Sequence, residues 1–381
     1  MKTMSRVSQV PQVSNKPEKN IAYYVSKIVQ LQRKNDIEDV KRYALFPILD
    51  EKGHEFYQKQ ELTHWSASEM EFVKDVKDYN SATPQIRRVV DTILAFFLSA
   101  DGIISDNIVY RFLMECKTYE EKSMFISQLH IELIHSETYS LSAFTFKKDA
   151  KAMGELIESV QNTPCVIGKM AFMEKWMLAD RPRYQRLCSF AVSEGIFFCT
   201  LFAVIFWFRS KGWFHNFVFA NELIANDESL HRDWGAHLFG VEMIELFEKD
   251  KRGKSSVDEF TQLYNLEILE IIEEALTIED EFVDYILPES VNDLNAKDLK
   301  QYARVITDNL LVQLGFPTKF NVKNPFTWMN DISMEQKTNF YEQKVASYKK
   351  KSLADILDWK KRAGLVEEKV NAYSSPEEID F

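Results

Sequence analysis

Two Glu-x-x-His steps are the residues of this 381-residue chain whose types and spacing could bind metal. They run from Glu132 to His135 and from Glu228 to His231. Residues three apart in an α-helix lie on the same face, so each step can present a carboxylate oxygen and an imidazole nitrogen to one point. One such step is a weak signal, but two indicate paired sets of ligands.

A single acidic residue interrupts an apolar segment about thirty residues before each step. Asp101 lies in VVDTILAFFLSADGII and Glu194 in FAVSEGIFFCTLFAVIFWF. A carboxylate inside an apolar helix is costly unless it is paired or bound to a cation. The two acids and the two steps give six ligands, four anionic and two neutral. This pattern predicts a dinuclear iron or manganese site in an all-α, ferritin-like helical bundle.

Other interpretations of these residues are weaker. A pair of buried ion clusters without Lys or Arg would leave excess negative charge. A structural zinc site would prefer thiolate ligands, and no cysteine is near. Two further Glu-x-x-His steps, Glu51 to His54 and Glu61 to His64, lie in turn-like sequence or just before a helix start. We expect neither of these two to bind metal.

Tyr139 lies on the same predicted helix face as the first Glu-x-x-His step, one turn further along. A buried tyrosine is more often a hydrogen-bonded core residue than a redox centre. The apolar residues Phe198, Phe202 and Ile224 stand within two turns of ligands in the second half, however, and would keep the tyrosine dry. The spacing suggests a protected tyrosyl radical and leaves the core interpretation open.

The elements that must position these residues are long helices. The sequence has few helix breakers, 11 Gly and 10 Pro, and many large apolar residues, including 28 Phe, 15 Tyr and 7 Trp. This composition favours long helices around a thick core. The net charge of -11 and the pI near 5.3 argue against a nucleic-acid partner, whose backbone requires clustered Lys and Arg.

One apolar run, residues 190–208, is long enough to raise the question of a membrane span. Glu194 lies well inside it, and a single span could not enclose a six-ligand site. A buried helix of a large bundle is therefore the better interpretation. The four cysteines show neither metal-binding nor disulfide spacing. These features favour a reduced, cytoplasmic protein without a membrane segment.

Three parts are predicted in the sequence. Residues 1–40 lack an apolar signal core and form a mobile leader. Residues 41–350 form the helical domain, in which two helical hairpins bring their ligand faces together. Residues 351–381 form a flexible acidic tail, and such tails often dock to partners.

Start and stop signals define the predicted helices. Ser66 and Glu69 form a capping box that opens a helix through residue 76. Pro84 occupies the first turn of the helix that carries the first buried acid. Lys211 and the following Gly end the helix that carries the second. The other predicted helices cover residues 117–142, 164–178, 221–239 and 256–315.

The segments around these residues resemble a known family. They are KRYALFPI, HWSASEMEFVKD, LSADGIISDN, HIELIHSETYSL, TPCVIGKMAF, FAVSEGIFF, FANELIANDESLH, DNLLVQLGFPTKFNVKNPF and KTNFYEQKV. From about residue 41 to residue 350 the chain resembles the small, radical-generating subunit of class I ribonucleotide reductase, of the eukaryotic and viral type. The resemblance implies two irons in each subunit, with manganese as an alternative. The implied ligands are Asp101, Glu132 and His135 for one iron and Glu194, Glu228 and His231 for the other.

The resemblance also implies a radical and a path for it. Tyr139 would hold the radical, with Phe198, Phe202 and Ile224 as its pocket. Trp65 matches the tryptophan that passes an electron. Asp227 matches the acid that links this tryptophan to His135 and fixes the histidine tautomer.

Three positions depart from the family pattern. The family commonly has Arg or Lys where Asn226 stands and Gly where Ser229 stands, which would alter local proton or water control but leaves the ligands in place. A tail tyrosine usually relays the radical. Tyr373 is the only candidate in the last thirty residues, and it lies only eight residues before the end, closer than usual.

The implied function is that of a reductase subunit. Two irons and oxygen would generate the Tyr139 radical, which would pass through Trp65 and the tail to a separate large subunit that reduces ribonucleotides to deoxyribonucleotides. The small subunit would be a homodimer. A soluble di-iron oxidase or oxygenase is one alternative, but it needs an open pocket beside the metals, where aromatic residues are expected. A scaffold paralogue is another, but such a protein would be expected to have lost ligands.

Overall fold

The computed structural model describes residues 45–178, 180–250 and 257–329. These residues form an all-α bundle, in which the only β-type pairing is an isolated bridge between Val291 and Leu294. The α-helices are α1 Glu51–Leu62, α2 Val76–Ser81, α3 Pro84–Asn107, α4 Leu113–Glu115, α5 Tyr119–Lys147, α6 Ala150–Asn162, α7 Pro164–Met173, α8 Arg183–Val192, α9 Phe198–Ser210, α10 His215–Asp250, α11 Val257–Ile286 and α12 Ala296–Gln313. The predicted leader and tail lie outside the described residues.

Local capping explains where the site-bearing helices begin. The Thr83 hydroxyl accepts a hydrogen bond from the backbone amide of Ile86, and Pro84 is the first residue of the helix. The helix α3 therefore starts where it was predicted. The Thr118 side chain caps α5 in the same way. The start of α10 is capped by Asp75, which is distant in sequence. Its carboxylate accepts hydrogen bonds from the backbone amides of Asn216 and Phe217.

The sequence prediction differs from the structure at several places. The helix predicted at residues 221–239 is α10, His215–Asp250, and the turn-like sequence around Glu51 is the start of α1. The Ser66–Glu69 capping box is present, but it opens a 3-10 turn, Ala67–Glu69, and not a helix through residue 76. The backbone becomes extended at Met70, where φ is -95° and ψ is 129°, because Trp65 and Phe72 on either side are both buried in the core. The helix α6 was not predicted, and residues 256–315 form two helices separated by a short turn.

Three π-helical turns interrupt the bundle helices. They are π1 Ile108–Phe112, π2 Glu174–Leu178 and π3 Ser193–Phe197. The turn π3 joins α8 to α9, and it carries Glu194. Single π turns inside α-helices are rare and occur frequently at functional sites.

The core is a thick aromatic layer between the long helices. The helices α3 and α5 pack against each other, and α8 packs against α10. That second contact is close, because a Cβ atom at Gly235 would lie 2.7 Å from the Phe190 ring. Two continuous helical stretches, Pro84–Glu115 and Arg183–Ser210, are long and apolar enough to cross a membrane. The most apolar part of the stretch Arg183–Ser210 is wholly buried in the bundle, and burial is what was predicted for residues 190–208.

Candidate metal centre

Four structural elements bring the six predicted ligands together. Asp101 comes from α3, Glu194 from π3, and the two Glu-x-x-His steps from α5 and α10. Each of the six side chains is at most 2% exposed. The ligand atoms form two groups, and within each group they lie within 4.8 Å of one another. The groups are Asp101, Glu132 and His135, and Glu132, Glu194, Glu228 and His231.

The two groups share Glu132, so one carboxylate could contribute ligand atoms to two adjacent sites. His135 Nδ1 lies 3.0 Å from Glu228 Oε1 and 3.3 Å from Glu132 Oε2. His231 Nδ1 lies 3.0 Å from Glu132 Oε1 and 3.3 Å from Glu228 Oε2. Both imidazoles therefore direct Nδ1 into the carboxylate cluster, which is the orientation that a pair of metal ions requires.

The other nitrogen of each imidazole contacts a polar side chain outside the cluster. His135 Nε2 lies 3.2 Å from Asp227 Oδ2, and His231 Nε2 lies 2.9 Å from Gln60 Oε1. Gln60 Nε2 also donates to Asp227 Oδ1 at 3.0 Å. A proton held on each Nε2 leaves the Nδ1 lone pair free for a metal. Gln60 and Asp227 thus connect the two histidines, and each offers an oxygen that can accept a hydrogen bond from an Nε2–H group.

The buried polar atoms of the cluster fit a metal pair. Both oxygens of Asp101 and the Oε2 oxygen of Glu194 have no hydrogen-bond partner among the described residues. Leaving such groups buried and unsatisfied is costly. No Lys or Arg within the described part of the protein forms an ion pair with them. Carboxylates with imidazoles suit iron or manganese, and two such cations would balance this charge.

Protons stabilise the cluster in the absence of metal. Burial, together with the nearby Glu132, raises the pKa of Asp101 well above its usual range. Burial, together with Glu228, does the same to the pKa of Glu194. Although burial lowers the pKa of His231, contacts with Glu132 and Glu228 outweigh it and raise the pKa to about 9. Metal binding must displace these protons.

Tyr139 is fully buried beside the first group. Its hydroxyl donates to Asn221 Oδ1 at 2.8 Å. The ring of Phe97 stacks on the tyrosine ring with centroids 4.3 Å apart and an interplanar angle of 2°. Phe198 and Phe202 pack on Phe97 with ring centroids at 5.4 and 5.8 Å. The third predicted pocket residue, Ile224, is buried on the helix that carries Asn221.

Trp65 connects to the first group through one acid. Its indole Nε1 donates to Asp227 Oδ2 at 2.8 Å, and the same oxygen lies 3.2 Å from His135 Nε2. The Trp65 and His135 rings also stack at 5.9 Å. The two predicted relay residues Trp65 and Asp227 therefore form a continuous series of contacts with the predicted ligand His135. The third predicted relay residue, Tyr373, lies outside the described residues.

A cavity of about 260 Å³ reaches the second group from outside. Its lining includes the ligands Glu194 and Glu228, the thiol of Cys199 and the exposed Ser229. The expectation that aromatic residues fill the space beside the metals holds around Tyr139 but not here. The cavity lies just below the usual size of ligand pockets, which begins at about 300 Å³. It can admit water, oxygen or a metal ion.

The two weak Glu-x-x-His steps take no part in the centre. Neither contributes to a group of metal-ligating side chains in the described ranges. Glu61 accepts from the Ser127 hydroxyl at 2.6 Å, and His64 stacks on His130. Of the departures from the family pattern, Ser229 donates to the Ala225 carbonyl at 2.7 Å and lines the cavity, and Asn226 is half-buried.

Sequence reasoning missed four residues of the centre. Gln128 donates to both Glu132 Oε1 and Glu194 Oε1, at 3.0 and 3.2 Å. Helical spacing could have found it, because Gln128 lies four residues before Glu132 on the same face. Asn221 and Phe97 could have been found in the same way, from ligands on their own helices. No local signal marks Gln60, which is 171 residues from its partner His231.

Replacing Gln60 by Leu is expected to weaken metal binding at the second site by about 10- to 100-fold, as is usual when a hydrogen-bond partner of a metal-ligating histidine is lost. The substitution removes the acceptor that holds the proton on His231 Nε2. Competition between the protein and a chelator for Mn²⁺ measures the affinity. The control is Gln185→Leu, which replaces a half-buried glutamine away from the centre. Unchanged affinity would show that Gln60 does not orient His231.

The fold and the site define a class, the helical bundles with a dinuclear carboxylate and histidine site. A family model described as "Ribonucleotide reductase, small chain" matches residues 42–325. The sequence is 35% identical over 309 residues to the ribonucleoside-diphosphate reductase small chain of Variola virus, a match that covers 81% of this protein and 92% of the relative. It is 35% identical over 317 residues to a ribonucleoside-diphosphate reductase small chain of Arabidopsis thaliana, with 83% and 88% covered.

Solved structures agree. The ribonucleotide reductase Rnr4 homodimer of Saccharomyces cerevisiae matches with a TM-score of 0.65 at 26% identity, covering 83% of this protein and 98% of that one. The dimanganese(II)-NrdF of Streptococcus sanguinis has the same fold, with a TM-score of 0.67 at 16% identity over 77% of this protein and 99% of that one. This chain belongs to the ribonucleotide reductase small chain family. Its enzyme class is ribonucleoside-diphosphate reductase, an oxidoreductase.

Proposed function

We propose that this protein binds two iron ions in the buried cluster and generates and stores a tyrosyl radical at Tyr139. The radical then passes to a separate large subunit for the reduction of ribonucleotides to deoxyribonucleotides. The observation that carries the proposal is the position of Tyr139, which is fully buried and stacked under Phe97, on the same helix as two ligands of the first group. A tyrosine that served only to pack the core would not require metal-ligating side chains beside it.

The six predicted residues would hold the metal pair. Asp101, Glu132 and His135 form the site next to Tyr139, and Glu132 extends to the second site of Glu194, Glu228 and His231. When bound, the iron pair supplies the oxygen-dependent oxidation of the tyrosine, which is chemistry that the protein itself lacks. The part of the protein is to fix the ligand geometry, to orient both imidazoles and to keep the tyrosine dry.

The tyrosine hydroxyl proton is held by Asn221. Burial, together with the Asp101 carboxylate, raises the pKa of Tyr139 well above its usual range, so the phenol stays protonated at rest. Oxidation of this phenol must therefore be accompanied by loss of its proton. The amide oxygen of Asn221 is too weak a base to take the proton, so the acceptor must be a basic group of the adjacent metal centre, where the carboxylates of Asp101, Glu132 and Glu228 lie. The aromatic rings of Phe97, Phe198 and Phe202 exclude the small reductants that would quench the oxidised ring.

The path from the centre to the surface begins at Trp65. Asp227 accepts from both Gln60 and the Trp65 indole, which holds Trp65 beside His135. An electron from the partner can enter at Trp65, and the carboxylate of Asp227 keeps the indole and imidazole hydrogens in place meanwhile. The tail residue Tyr373 is proposed to relay the radical beyond Trp65.

Electron paramagnetic resonance after anaerobic loading with Fe²⁺ and exposure to oxygen tests the function. A tyrosyl radical signal with about two irons per subunit would support it. The same measurement after loading with Mn²⁺ distinguishes the metals. Protein that binds two metal ions but forms no tyrosyl radical with either metal would overturn the proposal.

The cavity beside Glu194 and Glu228 is the one observation that favours an oxidase or oxygenase. Its volume of about 260 Å³ would limit such an enzyme to a very small substrate. Consumption of oxygen in step with added small substrate, without a stored radical, would indicate that function. A scaffold paralogue is disfavoured because all six ligands and Tyr139 are present and assembled.

Deleting residues 375–381 is expected to weaken binding to the large subunit greatly and to leave the metal content and the Tyr139 radical intact. The deleted segment, SPEEIDF, combines acidic residues with apolar anchors at Ile379 and Phe381, and a few buried anchors can supply most of the affinity of such a segment. Pull-down and competition by a synthetic SPEEIDF peptide measure binding. Full turnover by the truncated protein would place docking on the folded domain.

The homodimer is proposed to form through the outer face of α5. Ile126, Leu133 and Phe144 are 51%, 60% and 63% exposed there, and their spacing of seven and eleven residues places them along one stripe. Glu132 and His135 occupy the opposite, buried face of the same helix. Exposed apolar stripes of this kind mark protein interfaces, and the Saccharomyces cerevisiae relative is described as a homodimer.

Leu133→Glu combined with Phe144→Glu is therefore expected to produce a monomer, because two like-charged groups per subunit would face their copies across the dimer axis. Size-exclusion chromatography with light scattering measures the mass. Ile244→Glu, at a side chain that is 65% exposed on α10, is the matched control and should remain a dimer. An unchanged dimer in the double variant would move the interface away from α5.

The proposed location is the cytoplasm. The four cysteines, Cys116, Cys165, Cys188 and Cys199, are all unpaired thiols in the structure. Free, mostly buried thiols are typical of a reducing compartment.

A further inference from the structure

A buried lysine contacts the turn that carries Glu194. Lys169, on α7, is fully buried, which is rare for a lysine because removing its charge from water is costly. Its Nζ donates to the carbonyl oxygen of Phe197, the last residue of π3, at 2.7 Å. It also forms an ion pair at 2.7 Å with Glu279 Oε2 from α11.

Aromatic rings also surround the ammonium group of Lys169. The ammonium lies 3.7 Å from the Phe282 ring centroid and 4.5 Å from that of Phe96, within reach of cation–π attraction. Burial lowers the pKa of Lys169 and raises that of Glu279, so each of them needs the other to remain charged. The geometry of the pair is thus tightly defined.

Glu279 contacts the residues that follow the π3 turn. Its Oε1 accepts from the hydroxyl of Thr200, in the first turn of α9. The Lys169–Glu279 pair therefore contacts the turn at residue 197 and again at residue 200, across the point where π3 returns to α-helix. A third side chain contacts the same point, because the thiol of Cys199 donates to the Ile196 carbonyl at 3.1 Å.

The position of this turn matters for the metal centre. A π turn contains one more residue per hydrogen-bonded ring than an α-helix, so its exit sets the rotation of the residues before and after it. Glu194 lies three residues before Phe197, and Phe198, which packs on Phe97 beside Tyr139, comes directly after it. A shift at Phe197 would move a metal ligand and a wall of the tyrosine pocket together.

We propose that Lys169 and Glu279 are positioning residues that hold the π3 turn, and through it set Glu194 in the metal centre and Phe198 beside Tyr139. The inference rests on the proposed metal centre. A purely structural ion pair is the competing explanation, and the two differ in a measurable way. A buried pair contributes little to stability compared with apolar residues of similar volume, whereas an apolar pair cannot donate to the Phe197 carbonyl.

The test replaces both members of the pair. Lys169→Met with Glu279→Leu keeps the volume and leaves no unpaired charge, so the variant is expected to fold. Lys169→Met alone leaves Glu279 buried without its partner and is expected to unfold at a much lower temperature. Lys175→Met is the matched control, because Lys175 lies six residues after Lys169 and also pairs with α11, at Glu274, but is 44% exposed in its side chain and does not contact π3.

Three measurements separate positioning from structure. In the metal-free double variant, hydrogen exchange of the amides of residues 194–200 is expected to become faster, with other core helices unchanged. Chelator competition with Mn²⁺ is expected to show one site weakened by about 10- to 100-fold. After loading with Fe²⁺ and oxygen, the Tyr139 radical signal is expected to be reduced in yield and altered in line shape.

A folded double variant with wild-type exchange in π3, wild-type Mn²⁺ affinity and a wild-type radical signal would overturn the positioning role. Changes of similar size in the Lys175→Met control would also overturn the positioning role. They would show that losing any ion pair with α11 disturbs the metal centre in this way. Failure of the proposed function would give a different result from failure of the positioning role. In that case the wild-type protein itself would lack two metal sites or the radical, while the exchange measurement would still report on the turn.

Discussion

Replacing Tyr139 by Phe is expected to remove the tyrosyl radical signal completely and to leave two metal ions bound. The substitution deletes only the hydroxyl that donates to Asn221, and no ligand atom belongs to this side chain. Phenylalanine keeps the stack on Phe97, and it cannot be oxidised at the same potential. Turnover with the large subunit is expected to fall to background, because no radical is available to start it.

The folding cost of this change should be small. The buried Asn221 Oδ1 loses its donor, at a cost of about 1–3 kcal/mol, which a large bundle can absorb. Electron paramagnetic resonance and iron content are the two measurements. Tyr79→Phe is the matched control, since Tyr79 is also buried and donates to a carboxylate, that of Asp91, at 2.8 Å. The Tyr79→Phe control should keep the signal, and a signal that survives Tyr139→Phe would place the radical on another residue.

Replacing Trp65 by Phe is expected to have the second largest effect. Metal content and the Tyr139 radical should remain near normal, and turnover with the large subunit should be lost. Among the described residues, the indole of Trp65 contacts the centre through Asp227 Oδ2 and a ring stack on His135. Asp227 keeps its contacts with Gln60 and Thr63 after the substitution, so His135 stays oriented. The substitution therefore removes only the indole, the group that is proposed to pass the electron.

A matched tryptophan makes this prediction specific. Trp207 is fully buried and its indole donates to the Asp293 carboxylate at 2.8 Å, but it lies outside the ligand clusters. Trp207→Phe should therefore retain turnover if it folds. A second variant, Asp227→Asn, should impair transfer and also disturb His135, because the amide can present a donor to the imidazole. Near-normal turnover in Trp65→Phe would mean that the path avoids this residue.

The elements and most of the ligands could be predicted because they depend on short-range geometry. The spacing of Glu132 from His135 fixes both on one helix face wherever the helix packs, and an acid such as Glu194 in an apolar segment needs a charge partner in any fold. Boundaries were less predictable where packing competes with local signals. The Ser66 capping box formed, but burial of Trp65 and Phe72 limited it to a single 3-10 turn.

The sequence by itself determined the six candidate ligands, the tyrosine beside them and the helical class, because each depends on residue type and on the period of a helix. Tertiary structure decided how these parts combine. It made Glu132 common to both groups, placed Gln60 against His231 from 171 residues away, and brought Lys169 to the end of π3. It also opened a cavity at Glu194 where aromatic packing was expected. Contacts between distant segments depend on how whole helices pack, and helical periodicity carries no information about that.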